Sequence, residues 1–277
     1  MKPLLRCAAG LVLLLFGSAG AESAAMFCDA GSRDTATTNA KSLETMVWSP
    51  LGRVETGWET YAPLVAQEIA TGCPPASPGF ATALAAWQAK HNRAAMGALD
   101  PATFAQMKQV WQERRPFVAL SHLGCPAPPD ESKLALARPD ESYGGKIITL
   151  RPAALAAYRK MVAAARGELL AAANNWQLLT IFSGYRSPSY DAARCAREKN
   201  CQGLVRATCS AHRTGLAMDV YLGAAPGFAP DSSADANRLY MSQSQLYRWL
   251  VYNAWRFGFA NYVFEPWHWE WTGEPLH

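Results

Sequence analysis

The sequence predicts an α+β domain with a small antiparallel sheet and flanking helices, preceded by a small three-helix module. Two observations predict this arrangement. Between residues 57 and 112, three segments repeat apolar side chains at helical spacing, and proline, glycine or aspartate separates them. After residue 141, longer helical segments alternate with short apolar runs of strand length. The 277 residues suffice for one medium domain and one small one.

The composition is that of a chain that folds, because half of the residues are hydrophobic and only 17% are charged. The formal net charge of +4 suits a protein that works near an anionic polymer. The chain contains no long block of lysine and arginine, and we expect no nucleic-acid partner.

The N-terminus has the pattern of an export signal. Lys2 and Arg6 precede an apolar run over residues 7–16, and small residues follow at positions 19–21, where a signal peptidase cleaves. The run is shorter than the ~20 residues of a membrane span. We therefore predict a signal peptide over residues 1–21, a periplasmic or extracellular location, and no stable membrane insertion after cleavage. An uncleaved anchor is the alternative.

Cysteine usage predicts disulfide bonds, because six cysteines remain beyond the signal peptide and an even count is typical of exported proteins. Cys195 and Cys201 are close enough to close a loop. Cys28 and Cys73 are candidates to tie the N-terminal arm to the helical module. A thiolate metal site is the alternative, but the spacings lack paired Cys-x-x-Cys motifs.

The N-terminal half divides into an arm, a module and a connector. Residues 22–56 form the predicted arm, which is expected to be loose up to residue 45 because it is rich in Ala, Thr and Ser. The module covers residues 57–112, and its third helix is predicted to start with Asp100 as the cap. Residues 113–140 form the connector. Its prolines between Pro126 and Pro129 and the charged stretch to Glu141 indicate an extended, irregular crossing on the surface.

The module resembles the three-helix peptidoglycan-binding module. The matching residues are Phe80, Leu84, Trp87, Gln88, His91, Gly97, Leu99, Asp100 and Thr103. The family usually has Gly-Leu soon after the histidine position, where this chain has Asn92 and Arg93. The alternative is that these aromatic side chains form only the core of the module.

The C-terminal domain is predicted to cover residues 141–277. A helix is expected over residues 149–173, and strands over 177–182 and 216–222. One or two strands are expected over residues 261–271.

A further helix is expected before those last strands. Ser242 and Gln245 have the spacing of a capping box, and the helix is predicted to run through Phe257 until Gly258 ends it.

Three short segments of this domain carry the polar side chains of a candidate metal site. His212 and Asp219 lie in one segment, and Gly215 permits a turn that brings them together. His268 lies in a distant predicted strand. A catalytic zinc usually takes three protein ligands and keeps one position for water, and two imidazoles with one carboxylate suit that role.

Two charged residues near these ligands are candidates for catalysis. Glu265 lies three residues before His268, where a carboxylate can take a proton from the attacking water and pass it to the leaving amine. Arg186 follows a strand end, where a guanidinium can stabilise charge on the scissile carbonyl oxygen or clamp a substrate carboxylate. Both interpretations of Arg186 remain open.

The pattern Ser-x-His-x-x-Gly-x-Ala-x-Asp followed by Glu-x-Trp-His resembles the zinc D-alanyl-D-alanine carboxypeptidase and dipeptidase family linked with vancomycin resistance. The resemblance covers residues 140–272 and includes the Ser-Gly-Tyr-Arg-Ser segment. It implies Zn²⁺ as the cofactor and peptidoglycan stem peptides as the substrate. The implied roles are metal ligation by His212, Asp219 and His268, general base for Glu265, and the transition-state or substrate arginine for Arg186.

The same resemblance suggests roles for neighbouring residues. Ser210, Tyr185 and Ser183 are expected to contact the substrate, and Glu270 is expected to hold a metal ligand in place. For Ser210 and Glu270 the alternative is a purely local hydrogen bond.

Three functions follow as hypotheses. The first is a D-alanyl-D-alanine carboxypeptidase, and the second is a peptidoglycan endopeptidase with the same mechanism. The third is a non-catalytic protein that binds the cell wall. A carboxypeptidase holds a free carboxylate, whereas an endopeptidase needs an open cleft. The sequence carries no signal for an oligomeric state.

Overall fold

The structure is a computed structural model that describes residues 27–49, 54–122, 124–199, 201 and 209–274. The predicted signal peptide lies outside the described residues. Among the described residues we find no helix that combines the length and the apolar character of a membrane span.

The N-terminal arm contains a helix, α1 (Arg33–Thr45), followed by β1 (Val47–Trp48) and β2 (Glu55–Thr56), which pair antiparallel. The expectation of a loose arm up to residue 45 is therefore wrong. The reason is tertiary: the buried amide of Asn39 donates to the Gly97 carbonyl, which fixes α1 on the module.

The three helices predicted for the module are present as α2 (Ala62–Glu68), α3 (Pro78–Lys90) and α4 (Pro101–Glu113). Asp100 caps α4 as predicted, because its carboxylate accepts from the Thr103 amide. Most of the apolar side chains that carry the resemblance to a peptidoglycan-binding module are buried, and they form its core. These residues are Phe80, Leu84, Trp87 and Leu99.

The connector combines short ordered elements with an exposed irregular stretch. It contains α5 (Pro116–Ser121) and β3 (Ala135–Leu136), and β3 pairs antiparallel with β4 (Thr149–Leu150). Arg115, just before α5, is buried. The irregular surface crossing expected from Pro126 onward is found: residues 126–136 are mostly exposed, and their regular structure is one short 3-10 turn and β3. The start of the connector is instead held against the C-terminal domain by a buried ion pair.

The helix predicted over residues 149–173 is divided in the structure. Its first residues form β4, and α6 (Pro152–Glu168) is separated from α7 (Leu170–Asn174) by Leu169, which has extended backbone angles. Gly167 weakens the last turn of α6, since glycine is a poor helix former. The buried face of α6 carries the predicted residues Leu155, Tyr158, Val162 and Ala165.

A four-stranded antiparallel sheet forms the centre of the C-terminal domain. Its strands are β5 (Ile181–Ser183), β6 (Ala217–Val220), β7 (Phe259–Asn261) and β8 (His268–Trp271), in the order β5-β6-β8-β7. The predicted fold class, α+β with a small antiparallel sheet, is confirmed.

The remaining helices are α8 (Pro188–Arg197), α9 (Asp235–Ser242) and α10 (Gln245–Asn253). The predicted capping box at Ser242 is wrong by two residues, because Ser242 ends α9 and Ser244 caps α10.

A 3-10 turn, Ala254–Phe257, directly follows α10 in the chain. Gly258, at φ 82°, ends this segment as predicted.

One continuous hydrophobic core joins the module to the C-terminal domain. At its centre the hydroxyls of Tyr61 and Tyr247 lie 3.0 Å apart. The predicted disulfides Cys28–Cys73 and Cys195–Cys201 are present. A third, Cys125–Cys209, ties the connector to the loop that precedes the candidate metal site.

Candidate metal centre and active site

Three predicted ligands meet at the centre of the sheet. Asp219 of β6 lies directly opposite His268 of β8 in the strand register, and His212 comes from a 3-10 turn that ends at Gly215. Gly215 has φ 71°, a left-handed conformation that glycine adopts without strain. One potential ligand atom from each of the three residues lies within 4.8 Å of the others, and all three side chains are buried.

The carboxylate of Asp219 faces both imidazoles. His212 Nε2 lies 3.2 Å from Asp219 Oδ2, and His268 Nδ1 lies 2.8 Å from Asp219 Oδ1. Burial alone would raise the pKa of Asp219, but the two histidines hold it well below its usual range. Asp219 is therefore ionised at neutral pH.

The two histidines differ in their electrostatics. Burial and the nearby Arg186 guanidinium lower the pKa of His212 to about 4. Burial would also lower the pKa of His268, but its hydrogen bonds to Asp219 and Glu270 outweigh this effect and raise it to about 9. In the metal-free protein His268 thus carries the proton that a metal ion has to displace.

The second nitrogen of each imidazole faces an oxygen acceptor. His212 Nδ1 lies 2.7 Å from the Gly184 carbonyl oxygen, and His268 Nε2 lies 3.3 Å from Glu270 Oε1. Metal-binding histidines almost always donate their other N–H in this way. The arrangement leaves His212 Nε2 and His268 Nδ1 as the nitrogens that can hold a metal ion together with Asp219.

Glu265 lies on the turn that leads into β8. Its amide donates to the Tyr262 carbonyl, and its own carbonyl accepts from the His268 amide, so the turn has a defined backbone. The Glu265 side chain lines the same cavity as the three candidate ligands. Burial raises its pKa to about 7, an effect that His268 partly offsets. A carboxyl with this pKa can exchange protons near neutral pH.

Arg186 is held in place on two sides. Its Nη2 donates to Ser210 Oγ at 2.9 Å, and its Nε lies 3.2 Å from Asp191 Oδ1 in an ion pair. Ser210 Oγ also accepts from the His212 amide at 3.1 Å, so Ser210 links the arginine to the metal-site turn. Asp191 was not predicted from the sequence. The feature that could have indicated it is an acidic residue in the first turn of α8, shortly after Arg186.

Ser183 and Tyr185 contact different partners around the cavity. Ser183 is paired with Asp219 in the strand register, and its hydroxyl lies 3.4 Å from His212 Nδ1. Tyr185 donates its hydroxyl to Glu131 at 3.0 Å. Both side chains line the cavity, as does Ser210.

Glu270 contacts the metal-site histidine and a residue that the sequence did not single out. Arg115 Nε donates to Glu270 Oε1 at 2.7 Å, and the Phe117 amide donates to Glu270 Oε2 at 2.9 Å. Burial would raise the pKa of Glu270, but Arg115 and His268 lower it to about 2. Glu270 is therefore a buried anion held by the connector.

The cavity around these residues has a volume of about 760 Å³. The candidate ligands and Arg186 line it, and so do apolar side chains such as Ile148 and Phe182. Four further cationic residues, Arg115, Lys146, Arg194 and Arg197, line the cavity together with the acidic residues Glu131, Glu198 and Asp231. The cavity is therefore lined by charged side chains of both signs and by apolar side chains.

A protein-family model matches the C-terminal part of the chain. Residues 148–274 match the family model described as VanY, D-alanyl-D-alanine carboxypeptidase. No curated protein matches the chain.

Two solved structures are similar to parts of the chain. One is the LdcB LD-carboxypeptidase, described in connection with peptidoglycan recognition, with 24% identity over 52% of this chain and 70% of that chain at a TM-score of 0.37. The other is the vancomycin resistance D,D-pentapeptidase VanY from a VanB-type cassette, a mutant in complex with Zn(II). It has 20% identity over 53% of this chain and 83% of that chain, at a TM-score of 0.31.

The family match covers all three candidate ligands as well as Glu265 and Arg186, and it confirms the resemblance that the motifs indicated. Over residues 148–274 the chain is therefore similar to the VanY D-alanyl-D-alanine carboxypeptidase family.

Proposed function

We propose that the protein is an exported zinc peptidase that hydrolyses peptidoglycan stem peptides, with D-alanyl-D-alanine carboxypeptidase activity as the form we favour. One observation carries the proposal: the buried His212–Asp219–His268 group shares a cavity with Glu265. The disulfides support an oxidising location outside the cytoplasm.

The donor set fits zinc. Two imidazoles and one carboxylate are a common ligand set of catalytic zinc sites, which keep one position open. The acceptors behind both imidazoles, Gly184 O and Glu270, support this assignment. When bound, the ion would supply Lewis-acid polarisation of the scissile carbonyl and acidify water.

Glu265 is the proposed general base and acid. With a pKa raised to about 7, its carboxylate can accept a proton from the attacking water near neutral pH. The same carboxyl then donates that proton to the leaving amine nitrogen. General acid–base catalysis of this kind contributes about 10²–10⁴-fold to the rate.

Arg186 is the proposed anion-binding group. Because Ser210 and Asp191 fix its guanidinium, it needs little reorganisation to meet negative charge. Two roles are proposed: stabilising charge on the carbonyl oxygen, or clamping the terminal carboxylate of the substrate. We also propose that Ser183, Ser210 and Tyr185 border the bound peptide.

The proposed function is tested by digestion of a defined stem pentapeptide that ends in D-Ala-D-Ala, with products identified by mass. We expect release of a single D-alanine, dependent on zinc, with the Glu265→Gln variant as the matched control. Larger fragments from cross-linked peptidoglycan would identify an endopeptidase instead. Binding of peptidoglycan without any product would favour the non-catalytic wall-binding protein.

A further inference from the structure

Arg115 reaches the candidate metal centre from outside the residues that match the VanY family. It lies between α4 and α5, well before residue 148, where the family match begins. Only 6% of its surface is exposed. Buried arginines are rare unless they are paired, so the partners of this guanidinium indicate its role.

Every nitrogen of the Arg115 guanidinium contacts the protein. Nε and Nη2 lie 2.7 Å and 2.5 Å from Glu270 Oε1, and Nη1 donates to Gln112 at 3.2 Å. The guanidinium also stacks over Tyr262, 4.1 Å from the ring centre. Although Arg115 borders the cavity, its donors are already engaged, which argues against a direct role in binding substrate.

Glu270 in turn contacts the candidate ligand His268. The oxygen that Arg115 binds, Oε1, lies 3.3 Å from His268 Nε2, and the other oxygen accepts from the Phe117 amide. A fixed carboxylate at this place keeps the hydrogen on Nε2 of His268. Its Nδ1 is then left to face Asp219.

The helical module also contacts β7, the strand that pairs with β8, on which His268 and Glu270 lie. Gln112 of α4 donates to the Asn261 carbonyl of β7, and Tyr247, whose hydroxyl contacts that of Tyr61, donates to the Asn261 side chain. Asn261 in turn donates to the His268 carbonyl at 3.1 Å. The side chain and the backbone of His268 are therefore both connected to the N-terminal module.

We propose that Arg115 is a positioning residue of the metal centre, which acts through Glu270 to fix the ring orientation and tautomer of His268. The inference rests on the proposed metal function of His212, Asp219 and His268. It means that the connector, through Arg115, completes the metal centre, and that the helical module, through Gln112, supports it.

The test measures zinc affinity of the full chain by competition with a chelator. Residues that hydrogen-bond to metal ligands typically contribute about 10–100-fold to metal affinity. We expect Arg115→Gln to lose zinc affinity by a factor of this size. Arg115→Lys should recover part of the loss, because it keeps a cation beside Glu270 but lacks the planar fork. Arg114→Gln is the matched control, since the Arg114 side chain is 62% exposed and pairs with Glu68.

A double-mutant cycle with Glu270→Gln tests whether Arg115 acts through Glu270. We expect Arg115→Gln to cost little further zinc affinity once Glu270 is replaced, and we expect the single Arg115 variant to lower kcat more than it changes KM. Wild-type zinc affinity in Arg115→Gln, or fully additive losses in the cycle, would overturn the inference. If Arg115→Gln does not fold, wild-type affinity in Arg115→Lys overturns it. A wild-type chain that binds no zinc would instead refute the proposed function.

Discussion

Replacement of Glu265 by glutamine separates catalysis from metal binding. The amide keeps the shape of the side chain but cannot accept the proton from the attacking water. Turnover should fall by about 10²–10⁴-fold. The candidate ligands His212, Asp219 and His268 remain, so the zinc content should persist.

The same substitution should stabilise the metal-free protein. Raising the pKa of Glu265 from 4.5 to about 7 costs the fold about 3 kcal/mol when the carboxylate is charged, since a tenfold change in acidity corresponds to about 1.4 kcal/mol. The folded state binds more protons than the unfolded state between these values, so this cost develops as pH rises from 4.5 to 7. Glutamine avoids it.

The assay is urea unfolding of the chelated protein at pH 4 and pH 8. Glu265→Gln should exceed the wild type by about 2–3 kcal/mol at pH 8 and by little at pH 4. Glu113→Gln, at an exposed position of α4, is the matched control and should match the wild type at both pH values. Equal stability of Glu265→Gln and the wild type at pH 8 would contradict the raised pKa of Glu265. Near-normal turnover of Glu265→Gln would contradict the role of Glu265 as general base.

Other perturbations test the remaining parts of the site. Chelation should abolish hydrolysis and added zinc should restore it, whereas activity after thorough chelation would contradict a metallopeptidase. Arg186→Lys should lower kcat/KM by about 10²-fold. A fall in kcat would indicate that Arg186 stabilises charge on the scissile carbonyl oxygen, and a rise in KM would indicate that it binds a substrate carboxylate. Unchanged kinetics would exclude both roles. In Gly184→Ala the new Cβ would lie 2.6 Å from the Thr149 carbonyl oxygen, so the backbone has to shift. Because the Gly184 carbonyl orients His212, zinc affinity should fall, and wild-type affinity in a chelator titration would contradict this role. Residues 141–277 expressed alone should show no cooperative thermal transition, and a folded, zinc-binding fragment would contradict the shared core.

Local signals in the sequence predicted the elements that depend on nearby residues. Asp100 caps α4 through a residue three positions away, and Gly258 ends its segment by its own backbone conformation. The α1 helix was missed because its anchor, the Asn39 bond to Gly97, joins residues 58 apart. Ser242 and Ser244 both suit a helix cap, and only the extent of α9 decides between them.

The candidate site was predictable where one motif contains both residue type and spacing. His212 and Asp219 lie in one short segment, and His268 follows Glu265 at a fixed distance. Arg115 was not predictable, because its partner Glu270 is 155 residues away and the connector carries no motif. Contacts between distant segments require the folded chain.

The most direct test of the metal centre is a crystal structure of the zinc-loaded protein with anomalous scattering recorded at the zinc edge. We expect one strong peak bonded to His212 Nε2, the Asp219 carboxylate and His268 Nδ1 at about 2.0–2.2 Å, with Glu265 nearby and not ligating. A peak elsewhere, or zinc coordinated by a different set of side chains, would contradict the proposed enzyme.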